Sequence, residues 1–192
     1  MAAIVSIVVK EWMYRYTIKA ADSIHFSALK ADAWHHRSDA LSSVGSLLGI
    51  GGASNYNLEM GAGREQRASS IAGTALSTLV ITGAVLALVV LLFLRPLLGL
   101  FGATTDVMPY AVDYLGITAV GLPFYVLSIG GNHIVRADRS PTYSMTCVLT
   151  GAVINTILDP LFIFGFGWGI KGAAWATVIG QVVSGILVII YF

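Results

Sequence analysis

Two pairs of polar side chains stand four residues apart in this 192-residue chain, and each pair suggests a chemistry. Asn155 and Asp159 lie in an otherwise uncharged run from Ser140 to Ile170. On a helix, a spacing of four puts the amide and the carboxylate on one face. An amide oxygen beside a carboxylate can hold a hard cation, and the carboxylate can instead carry a proton. A charged group at the centre of a membrane helix costs roughly 2.5–3.5 kcal/mol on insertion scales, so an acid in such a run marks a functional site by default. The bland alternative is a helix kinked at Pro160, whose acid satisfies freed backbone groups. His35 and Asp39 form the second pair. An imidazole nitrogen and a carboxylate oxygen on one face supply half of a tetrahedral Zn2+ site. Asp32, three residues before His35, lies near that face and could orient the ring by accepting its other N–H. His36 points about 100° away. Here the bland alternative is a polar cluster where a helix begins at a membrane surface.

The elements that must position these residues are membrane helices. The chain is 56% hydrophobic and 11% charged, against about 25% charged in soluble domains. A net charge of +1 without a basic stripe argues against nucleic acid as a partner. No nucleophile with its base, phosphate loop or complete metal set is present, so the chain does not read as an enzyme. A single cysteine, Cys147, excludes a disulfide framework and suits a small core position. No cleavable signal peptide is evident, since Lys10 and Glu11 follow a short apolar start.

The predicted fold is all-α: a polytopic transmembrane helical bundle of about six hydrophobic segments. Residues 1–18 begin inside an apolar run, and 19–30 read as a polar connection. A helix follows to about Leu58. Gly61 and Gly63 break it, in a loop that carries Arg64 and Arg67. Ala68 to Leu94 is uncharged for 27 residues, enough to span, and Arg95-Pro96 closes it. The turn FGATTD, a helix over 106–135, a helix from Pro141 and a last span from Gly172 to Phe192 complete the chain. His133, with no ligand at helical spacing, reads as an interfacial residue. The short turn from Gly165 to Gly172 makes the last two helices antiparallel neighbours. It sets Asp159 and residue 177 at matching depth, roughly 12–15 Å from the turn.

The run INTILDPLFIFGFGWGIKGAAWAT resembles the fifth and sixth helices of the MATE family, the multidrug and toxic compound extrusion antiporters. The resemblance covers about Gly49 to Phe192. It implies a multi-pass protein of the bacterial inner membrane that exports organic cations or drugs against Na+ or H+, with no resident cofactor. It also implies that Asn155, Asp159 and, on the next helix, Thr177 bind the coupling cation. The family's remaining acid lies on its first helix, which is expected to be missing here. A remaining transporter half or a second chain is therefore an expected partner, beside the lipid bilayer.

A different resemblance covers the start. KEWMYRYTIKAADSIHFSALKADAWHHRSDALSSVGSLLGIGGA is similar to the fourth and fifth helices of the cation diffusion facilitators. It implies export of Zn2+ or a similar divalent ion, with His35 and Asp39 as half of the metal site. The two resemblances divide the chain into residues 1–53 and 54–192. They meet in GIGGAS, Gly49 to Ser54, a string common to both families. Three functions follow: a partial MATE-type transporter, a divalent metal exporter, or a fused membrane protein that transports nothing.

Charge sets a test of that junction. Positive residues favour the cytoplasm. Arg64 and Arg67 are then inside, FGATTD outside, Arg136 and Arg139 inside, and Lys171 outside. Counted backward, the helix ending near Leu58 starts outside, which puts Lys19, Lys30 and Arg37 on the disfavoured side. Either one half inverts or the fused segment fails to span.

Overall fold

The computed structural model describes residues 27–101 and 103–192, with side chains from Ser43 onward. The expected first segment, 1–18, lies outside the described residues. So do the side chains of Asp32, His35 and Asp39, whose backbone belongs to the first described helix.

Among the described residues six helices follow one another: α1 (Ser27–Gly61), α2 (Glu65–Leu92), α3 (Leu94–Leu100), α4 (Met108–Ala137), α5 (Pro141–Pro160) and α6 (Ile170–Tyr191). A five-residue π-helical turn, Leu161–Gly165, extends α5. No strand occurs among the described residues. Among the described residues four spans are long and apolar enough to cross a membrane: α2, α4, α5 with its π turn, and α6.

Local sequence explains most boundaries. Glu65 stands in the first turn of α2, where the helix dipole favours an acid. Prolines open α4 and α5, where a missing N–H costs nothing. The expectation for Arg95-Pro96 needs correction. The pair does not close a helix; it lies in the first turn of the short helix α3, after a break at Phe93. Proline kinks or weakens a helix interior but fits a first turn.

Helix α4 is the hub, with α1, α2, α5 and α6 all packed against it. Leu79 of α2 and Val126, Leu127 and Ile134 of α4 form one buried cluster, to which Tyr56 of α1 belongs. Val135, Cys147 and Val188 form a second cluster among α4, α5 and α6. Cys147 is thus the small core residue its surroundings in sequence suggested. The outward faces stay apolar: Ile81 is 63% exposed and Leu92 68%. On a spanning helix such a face meets lipid rather than water.

Contacts fix the helix directions. Gly45 lies against Val126, Gly49 against Gly130, and Tyr56 hydrogen-bonds Asp138. Both numbers rise together, so α1 runs parallel to α4. Gly83 against Pro123 and Leu79 against Gly130 make α2 antiparallel to α4. Ser128 with Ser184 and Gly131 with Val188 make α6 parallel to it. One end of the bundle therefore gathers Arg64, Arg67, Arg136 and Arg139. The opposite end joins Asp113 to Lys171, with 3.3 Å between nitrogen and oxygen. That pair joins the starts of α4 and α6, at the end where charge placed the FGATTD turn and Lys171. Helix α1 runs unbroken through Gly49 to Ser54. It starts at the Lys171 end, and it is not one of the described helices long and apolar enough to cross a membrane.

Candidate functional site

Helices α5 and α6 approach backbone to backbone. A methyl group on Gly180 would stand 2.8 Å from the Gly151 carbonyl oxygen, and one on Gly151 would stand 2.7 Å from that of Gly180. Only glycine at both positions permits this distance. The register is antiparallel: Asn155 lies beside Gly180, and Phe162 beside Gly172. Asp159 consequently sits at the level of Ala176 and Thr177, as the short turn predicted. The depth differs from the expectation. Asp159 is six residues from Gly165, where the span ends, or about 9 Å at 1.5 Å per residue. That is halfway between this end and the middle of the 25-residue span.

Pro160 has the effect its chemistry requires. It has no N–H to donate, and the helix widens just beyond it into a π turn. There the Phe166 N–H donates to the Leu161 carbonyl at 3.0 Å. Such turns recur at functional sites. The Asn155 amide Nδ2 reaches the Asp159 Oδ1 at 3.5 Å, a long bond between half-buried groups. The Thr177 hydroxyl donates to the Ala173 carbonyl at 3.0 Å, leaving its lone pairs available as an acceptor.

Asn155 and Thr177 line a shared cavity of about 430 Å³ between α4, α5 and α6. Asp159, one turn further along α5, is not among the lining residues. The cavity holds polar groups that the motif reading did not include. Gln181 and Ser184 continue the face of Thr177, while Ser128 and Asn132 come from α4. Ser128 and Ser184 share a hydrogen bond of 2.6 Å. Asn132 is 4% exposed and donates to the Ser128 carbonyl at 2.7 Å. The buried Oδ1 of Asn132 and Oε1 of Gln181 have no hydrogen-bond partner among the described residues. A signal for these residues was present in the sequence. Thr177, Gln181 and Ser184 recur at i, i+4 and i+7, a polar stripe on an apolar helix. His133 also borders the cavity, half-buried and one turn from the end of α4.

Chemically, the region offers carboxylate, amide and hydroxyl oxygens within two adjoining turns of α5 and α6. Hard cations take such donors. Among the described residues no group of three or more His, Cys, Asp or Glu could hold a metal ion.

A family model described as MatE matches residues 40–161. The multidrug export protein MepA of Staphylococcus haemolyticus is 30% identical over 152 residues, which are 79% of this chain and 34% of that protein. MepA of Staphylococcus aureus strain N315 is 29% identical over the same shares. Among solved structures, the inward-facing conformation of a multidrug resistance MATE family transporter of the MOP superfamily gives a TM-score of 0.74 at 26% identity, covering 79% of this chain and 34% of that one. A MATE crystal structure in the bent conformation gives 0.78 at 22% identity over 100% of this chain and 43% of that one, a likeness of fold alone. The chain spans about a third of the length of the curated relatives it matches.

Proposed function

The chain belongs to the MatE family, and from that premise we propose that it works as part of a MATE-type secondary transporter, exporting drugs or organic cations against Na+ or H+. The observation that carries this reading is the cavity between α4, α5 and α6, whose mainly apolar wall includes Asn155 and Thr177, with Asp159 one turn beyond. In this reading Asn155, Asp159 and Thr177 receive the coupling cation. Binding of Na+ or a proton neutralises Asp159, and the α5–α6 pair repacks at its glycine contact. Alternating access then follows from the differential affinity of two arrangements for the cation. Further helices, from the same polypeptide or a second chain, would close the open side of the cavity.

The metal-export reading of His35 and Asp39, with Asp32 behind them, rests on sequence resemblance alone. The matched range begins one residue after Asp39 and lends it no support. The same holds for the division at residue 53.

The test is cation-linked stability. A ligand that binds only the folded state stabilises it by about 2.7 kcal/mol at a hundredfold excess over Kd. Purified chain in detergent should melt at a higher temperature in Na+ than in an equal concentration of choline, or should respond to pH instead. Asp159→Asn should insert normally and lose that response. A chain indifferent to both Na+ and pH, or a response that survives in Asp159→Asn, overturns the assignment.

A further inference from the structure

The arginine end of the bundle contains a second cavity, of about 450 Å³, between α1 and α4. Its walls include Ser54 and Asn57 of α1 and His133 and Arg136 of α4. His133 and Arg136 also border the first cavity, so they stand between the two. Arg136 is held in place by one atom. Its Nε donates to the Ser144 hydroxyl at 3.0 Å, and Ser144 is fully buried on α5. Among the described residues no hydrogen bond or ion pair engages the terminal nitrogens of Arg136.

The acid nearest to that guanidinium in sequence is Asp138, two residues on at the end of α4. Asp138 is already occupied. The Tyr56 hydroxyl donates to its Oδ1 at 2.5 Å, and the Tyr191 hydroxyl to its Oδ2 at 2.8 Å. Two neutral donors thus satisfy the carboxylate, while a cation beside it stays without an anion. A guanidinium pinned through Nε presents its remaining N–H groups as a planar fork, which matches the oxygens of a phosphate. Ser54 and Asn57 add neutral donors on the facing wall. Arg136 is the last residue but one of a spanning helix, which is headgroup depth. Basic clefts between membrane helices on the cytoplasmic side take anionic headgroups.

The geometry points to a binding site for the phosphate of an anionic phospholipid headgroup, held by Arg136 and His133 with Ser54 and Asn57 between α1 and α4. The lipid would wedge the α1–α4 crossing beside the first cavity. The inference needs only a membrane setting and stands whether or not the chain moves drugs.

Native mass spectrometry of the full chain in detergent, titrated with phosphatidylglycerol or phosphatidylcholine, tests it. Phosphatidylglycerol should be retained at about tenfold lower concentration, since a charge-assisted contact is worth roughly that factor. Arg136→Gln should abolish the preference, and Arg95→Gln, at the other end, should keep it. Inorganic phosphate should not displace the lipid. Equal retention of the two lipids overturns the proposal, as does a preference unchanged in Arg136→Gln. Displacement by inorganic phosphate reassigns the site to a soluble phosphate and refutes the lipid. If Arg136→Gln loses its helical circular dichroism, His133→Gln provides the same comparison, with a preference unaltered there counting against the site.

Discussion

The two ends of the bundle handle their charges differently. At one end Asp113 meets Lys171 across open space, with side chains 44% and 58% exposed. At the other, Asp138 is part-buried and bound by hydroxyls from two helices, while Arg136 and Arg139 have no carboxylate partner among the described residues. Exposed ion pairs contribute little, because water screens them and two long side chains must be ordered. A carboxylate that accepts two short hydrogen bonds from distant helices does more. It joins α1 and α6 to the α4–α5 turn and leaves the neighbouring arginines available for other anions.

The largest test of this difference removes each acid in turn. Asp138→Ala deletes two charge-assisted bonds and should cost about 3 kcal/mol. Asp113→Ala should cost less than about 1 kcal/mol. Unfolding in a denaturing detergent, followed by circular dichroism, gives both values. Equal losses would show that the two ends are equivalent after all. Tyr191→Phe should fall between them. It keeps the ring packed on Tyr143 at 4.9 Å between centroids, and loses the bonds to Asp138 and to the Ser140 hydroxyl at 2.6 Å.

Much of this architecture was legible in sequence, for identifiable reasons. Apolar runs long enough to span located α2, α4, α5 and α6, and Pro141 marked a start. The charge pattern put the FGATTD turn and Lys171 on one side, and the Lys171–Asp113 pair agrees. Asn155 and Asp159 were visible because polar groups are costly in an apolar run. Other features depend on partners distant in sequence. Pro160 signalled a kink, but the π turn also needs the Phe166 N–H to find the Leu161 carbonyl. The stripe of Thr177, Gln181 and Ser184 could be read, yet its direction depends on Gly151 meeting Gly180 and on Ser184 meeting Ser128. The tyrosine node is the clearest example. Nothing near Asp138 in sequence announces residues 56 and 191 as its donors. His35 and Asp39 have the same spacing as Asn155 and Asp159, and their side chains lie outside the described residues.

A smaller effect concerns the open end alone. Lys171→Gln should lower stability by less than about 1 kcal/mol, and 1 M salt should erase the difference, since the Debye length falls there to about 3 Å. The Asp138 node should be nearly indifferent to the same salt. If salt weakens both ends alike, shielding of Asp138 from solvent is not what separates them.

The smallest effect lies at the arginine end itself, in a pair that behaves as the opposite end does. Glu59 and Arg64 bracket the α1–α2 loop, with Arg64 donating to both carboxylate oxygens at 2.5 and 3.0 Å. Arg64 is 52% exposed, so the pair is wet. The hydrogen bond from Arg64 holds the Glu59 carboxyl below its ordinary value of 4.5, and the charges of Arg64 and Arg67 add to the shift. A carboxyl depressed by folding stabilises the folded state above its unfolded pKa, and loses that contribution as pH falls through the folded value. Glu59→Gln should therefore melt slightly lower than the parent chain at pH 7 in low salt. The gap should narrow once pH drops below 4.5 and vanish in high salt. A gap that widened on acidification would mean that Glu59 is destabilised by folding rather than held by Arg64. A gap resistant to salt would place the pair with the Asp138 node rather than with Lys171 and Asp113.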